Sequence, residues 1–106
     1  MTKNPLKSLS ADTMETVAAR FRALGEVSRL QLVQALHSGE KSVTDLVELT
    51  ALSQPNVSRH LAVLTAAGLI RRRKDGLKVL YRVVDKSLAD ICTIVCKSVS
   101  SQSRIR

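Results

Sequence analysis

Residues 52–76 read LSQPNVSRHLAVLTAAGLIRRRKDG, and this stretch decides the fold. At 100° per residue, Val57, Leu61 and Leu64 cluster on one side of a helix. Asn56, Arg59, Ala62 and Val63 point away, with Ser58 on one flank. Ser53 stands where an N-cap belongs, and Pro55 falls in the first turn, where its missing N–H has no internal partner to lose. Gly68 ends the helix. The period then changes: Leu77, Val79 and Tyr81 alternate with Lys78, Leu80 and Arg82, Leu80 breaking the polar side. Asp75-Gly76 is a strong short-range hairpin signal, so two short strands are expected to meet there.

Working outward, residues 1–9 contain Pro5 and no periodic pattern, and are expected to form a loose arm. From Ser10, an N-cap, Met14, Val17, Ala18, Phe21 and Leu24 recur at helical spacing up to Gly25. Val27, Leu30, Val33 and Leu36 share the face of a second helix closed by Gly39, and His37 is expected to meet its terminal carbonyls. Ser42 opens a short third helix bearing Val43, Leu46, Val47 and Leu49. Its spacing to Asp45 resembles a capping box. A last helix after Asp85 carries Leu88, Ile91, Cys92, Val95 and Val99, and residues 100–106 are expected to be a frayed basic tail. One domain over residues 10–99 results, mainly α with a β-hairpin. A short helix, a turn near Ala51 and a second helix with a polar outer face is the helix-turn-helix plan, and the cationic hairpin after it is a wing.

Composition narrows the partner. The chain has 106 residues, 44% of them hydrophobic, with one Tyr, one Phe and no Trp, so Leu, Val, Ile and Ala must build the core. No apolar run approaches the roughly 20 residues that cross a bilayer, and MTKNPLKSLS lacks the apolar region of a signal peptide. A cytoplasmic location is expected. Two cysteines do not make a disulfide scaffold. The net charge of +8 favours a polyanion. Arg71, Arg72, Arg73, Lys74, Lys78 and Arg82 face the single acid Asp75, a concentration unlike the long basic amphipathic helix of a membrane-surface binder. Double-stranded DNA fits better. With two histidines, no nucleophile elbow, no phosphate loop and no clustered carboxylates, an enzyme is disfavoured.

The major groove gives each base pair a distinct donor and acceptor pattern. Gln54 and Asn56 are suited to pair with adenine and Arg59 with guanine, while Ser53, Ser58 and His60 complete the polar set, the last two suiting phosphate or base edges. Arg71, Arg72, Arg73, Lys74 and Lys78 belong by phosphates or at the minor groove. A polar helix face is usually only solvated, but here it adjoins four consecutive cations whose self-repulsion a polyanion relieves. The alternative is a winged-helix module for protein or RNA contacts, without an operator.

SQPNVSRHLAVLTAAGLI and RRRKDGLKVLYR, with LGEVSRLQLVQAL before them, resemble the ArsR family of winged-helix repressors, the match running from about Thr16 to Val84. The resemblance implies a homodimer joined through the first and last helices, repressing an operator and released by an inducer. Two arguments independent of family agree with dimerisation. The last helix has an apolar stripe in a small chain, and one recognition helix reads few base pairs. Metalloid sensors of the family carry Cys-Val-Cys where this chain has Ser42-Val43-Thr44, and hydroxyls are poor soft-metal ligands. Its zinc sensors open the last helix with Asp-x-His, where this chain has Asp85 and Ser87. Family members that sense sulfur species place one thiol in the second helix, which here has none. What remains is Cys92 and Cys96, four apart on the last helix. Cβ atoms at that spacing are roughly 5–6 Å apart, too far for an unstrained disulfide. Structural packing, binding of a soft metal or metalloid such as As(III), and thiol oxidation all stay open for this pair.

Overall fold

The computed structural model describes residues 9–105. In chain order the elements are α1 (Ala11–Leu24), α2 (Val27–His37), β1 (Lys41–Ser42), α3 (Val43–Thr50), α4 (Gln54–Ala66), β2 (Ile70–Asp75), β3 (Lys78–Val83) and α5 (Lys86–Ile105). This is the expected winged helix-turn-helix, mainly α with a β-hairpin wing. The expected arm lies, apart from Leu9, outside the described residues. α5 runs on past Val99 to Ile105, into the segment expected to be a tail.

Local chemistry places the helix starts. Ser10 Oγ accepts from the Thr13 N–H at 3.0 Å. Ser42 and Asp45 form a complete capping box, each side chain accepting from the other's backbone N–H at 3.1 Å. The Ser42 backbone N–H, and then its hydroxyl, hold the Asp45 carboxyl below its ordinary range. Glu26 caps α2 by accepting from the Arg29 N–H at 3.0 Å. Between α3 and α4 the chain turns at Ala51, whose φ of 60° is uncommon for a residue with a side chain. Its N–H reaches the Val47 carbonyl at 3.0 Å, closing α3.

Leu32, Leu36, Leu46, Val57, Leu61, Leu64 and Ile70 are the largest fully buried side chains. The apolar stripe of α4 therefore packs as its spacing requires. On α2, Val33 and Leu36 are buried and Leu30 packs against the core as expected, Leu32 joins them, and Val27 at the helix start is exposed. Leu49 is exposed as well.

The sheet is antiparallel in the order β1-β3-β2. Strand β1, two residues long, is too short for periodicity to reveal. Pairing of Asp75 with Lys78 makes Gly76 and Leu77 the central turn residues, one position later than expected. Gly76 has φ +64° and Leu77 does not have a positive φ, the pattern of a type II′ hairpin turn with glycine first.

Arg20 ties α1 to two other elements. It donates to Asp85 Oδ2 at 2.6 Å, before α5, and to the Ala67 carbonyl at 3.2 Å, at the end of α4. Within α1 only Ala23 and Leu24 are buried; Met14, Val17 and Phe21 are exposed. So are Ile91, Ile94, Val95 and Val99 of α5. His37 does not meet the carbonyls of its own helix end; its Nε2 lies 3.0 Å from Asp90 Oδ1 on α5.

Candidate nucleic-acid interface

The fourth helix presents its polar face as a built surface. Ser53 Oγ accepts from the Asn56 N–H at 3.3 Å, fixing the first turn. Asn56 Oδ1 accepts from Arg59 Nη2 at 2.9 Å. Two of the three side chains suited to bases thus hold each other one turn apart, outside the protein. Ser53, Gln54, Asn56, Ser58 and Arg59 are all exposed.

His60 is not on that face. It is 9% exposed, and its Nδ1 lies 3.3 Å from Arg29 Nη1 and 3.7 Å from Glu26 Oε2, both on or capping α2. Position 60 follows Val57 by three and precedes Leu64 by four, which puts it on the core stripe. Polarity suggested an outward residue and spacing an inward one; spacing prevails.

In the wing, Arg71, Arg72, Arg73, Lys74 and Lys78 are exposed. Alternation along β2 puts Arg72 and Lys74 on one face and Arg71 and Arg73 on the other. Arg73 is already engaged: its Nε and Nη2 donate to the two carboxylate oxygens of Glu40 at 2.7 and 2.8 Å. This fork-to-fork pair pulls the Glu40 carboxyl below its usual range and fastens the wing to the chain just before β1. Sequence reasoning missed Glu40, since nothing at its position signals a partner 33 residues away.

Cys92 is buried in the core and Cys96 is exposed. Both line a crevice of about 230 Å³ with Phe21, Leu24 and Val95, which joins the apolar surfaces of α1 and α5. Burial, and then the neighbouring Cys96, pushes the Cys92 thiol up from its ordinary value. Among the described residues no group of three or more His, Cys, Asp or Glu side chains could hold a metal ion. None of the helices there is long and apolar enough to cross a membrane.

A winged helix-turn-helix with an outward polar helix face and a cationic wing is the plan of a class of regulatory proteins. The chain belongs to the arsR family of bacterial regulatory proteins, whose family model matches residues 26–72. It is 42% identical over 77 residues to a probable mercury resistance operon repressor of Streptomyces lividans, covering 73% of this chain and 62% of that protein. The chain thus spans about three-fifths of that relative's length. An uncharacterized HTH-type transcriptional regulator of Methanocaldococcus jannaschii, MJ1325, is 32% identical over 82 residues, with 76% of this chain and 92% of the relative covered. In structure, the chain is similar to the homodimeric winged helix-turn-helix DNA-binding domain of Mb0332 from Mycobacterium bovis. The TM-score is 0.78 at 24% identity, with 98% of this chain and 94% of the other covered.

Proposed function

We propose that the protein is a homodimeric, sequence-specific DNA-binding repressor that leaves its operator when an inducer binds. The observation that carries this is the exposed Asn56–Arg59 pair on α4 beside the cationic wing. Base reading is assigned to Gln54, Asn56 and Arg59, with Ser53 and Ser58 at phosphates or base edges. His60 is left out because it is buried. Arg71, Arg72, Lys74 and Lys78 are assigned to the DNA backbone, and Arg73 to holding the wing. Dimerisation is assigned to α1 and α5, whose exposed apolar side chains meet around one crevice, because a contiguous exposed apolar surface marks an interaction site.

Burial of Cys92 supports packing for that thiol. A soft-ion site for As(III), or for the mercury that the Streptomyces relative's name carries, would add Cys96 and thiols from a second copy. The deciding experiment is selection of bound duplexes from a random pool, repeated with As(III) and with Cys92→Ser plus Cys96→Ser. A recovered palindromic consensus supports an operator. Sequence-indifferent recovery would favour a protein- or RNA-contact module instead.

Replacing Arg59 with alanine is expected to relax preference at one position of each half-site, costing about 1–3 kcal/mol on the selected sequence. Equal losses on all duplexes would make Arg59 a phosphate contact. Neutralising Arg72 and Lys74, which share a face of β2, is expected to weaken all duplexes alike and flatten log K against log salt. An unchanged slope would remove the wing from the interface.

A further inference from the structure

The buried imidazole of His60 sits in a chain of contacts that starts outside the reading helix. The carbonyl of Ala23, in the last turn of α1, accepts from Arg29 Nε at 2.5 Å. Arg29 Nη1 then meets His60 Nδ1 at 3.3 Å. A guanidinium only donates, so the Nδ1 of His60 must accept and its ring proton belongs on Nε2. Glu26 Oε2, 3.7 Å from the ring, is beyond hydrogen-bond reach, and it is engaged by the Arg29 backbone N–H.

His60 follows Arg59 directly, and Asn56 lies one turn before it. Holding the ring therefore fixes the rotation of α4 about its own axis, and with it the direction in which the Asn56–Arg59 pair leaves the protein. Val57, Leu61 and Leu64 pack the helix against the core without direction, and the hydrogen bond to His60 adds a directional restraint to that packing.

We propose that Arg29 and His60 form a positioning link that sets the rotation of the reading helix against the end of α1, and so governs operator specificity and not DNA affinity in general. The proposal rests on the operator reading above. From α2, Arg29 thus joins the last turn of α1 to the middle of the reading helix, while Arg20 joins α1 to that helix's far end at Ala67.

The test uses the full chain and two duplexes, the selected operator and a mixed sequence of equal length. His60→Leu keeps an apolar filling but removes the acceptor. It is expected to lose about tenfold on the operator and nothing on the mixed duplex, as for a lost hydrogen bond to a charged group. His60→Asn, whose Oδ1 can accept where Nδ1 does, is expected to recover most of the loss. Arg29→Met is expected to match His60→Leu, and the double variant to lose no more than either. Nitrogen NMR of the wild-type imidazole is expected to show the proton on Nε2. Equal losses on both duplexes, failure of asparagine to recover, or a proton on Nδ1 would overturn the link. Should His60→Leu not fold, a folded Arg29→Met with unaltered operator affinity overturns it equally. Equal affinity of the wild type for both duplexes rejects the operator reading itself, and this proposal with it.

Discussion

Placing glutamate at Ile94 and Val99 together is expected to leave the fold intact and turn the proposed dimer into a monomer. Both side chains are more than half exposed in the single chain, so little internal packing is lost. In a dimer built on α1 and α5, four carboxylates would enter an apolar interface without partners, and burying unpaired charge is strongly unfavourable. Two half-sites engaged by linked modules gain roughly 10²–10⁴ over one, and operator affinity is expected to fall by that factor. Sedimentation velocity and operator titration read the two effects separately. A variant that stays dimeric and binds as before would place the interface on another surface.

Replacing Leu61 with alanine is expected to cost about 2–5 kcal/mol of stability. Leu61 is fully buried at the middle of α4, between Val57 and Leu64 on the core stripe. Because a domain of this kind has only about 5–15 kcal/mol in total, the variant should be partly unfolded near physiological temperature. Urea unfolding followed by circular dichroism measures the loss. A cost below about 1 kcal/mol would mean that the helices close over the cavity, contrary to a tightly packed stripe.

The recognition helix was legible because three independent signals agree there: a capping serine, a proline in the first turn, and an apolar stripe that remains buried. The capping box of α3 was legible for the same reason, since its chemistry is complete within four residues. Other features depend on distant parts of the chain. The apolar stripes of α1 and α5 were readable as helices, but spacing alone does not say whether such a stripe meets its own core or another surface; most of α1's does not meet the core. His37 finds Asp90 across the fold, and Arg73 finds Glu40. No local pattern encodes either pairing. His60 differs, because its position on the core stripe was available from the spacing and was outweighed by its polarity.

The order of the sheet leaves β2 at an edge, with the row of backbone groups on its outer side facing no strand. Such an edge is a template on which a second molecule can add its own strand, the first step toward a fibre. The other edge, β1, is only two residues long and offers little to copy. Edge β2 is longer, and four successive cations line it. Arg73 is paired with Glu40, so two copies approaching edge to edge would bring Arg71, Arg72 and Lys74 of each within a strand spacing. The charge on the wing therefore also opposes self-polymerisation through its open edge.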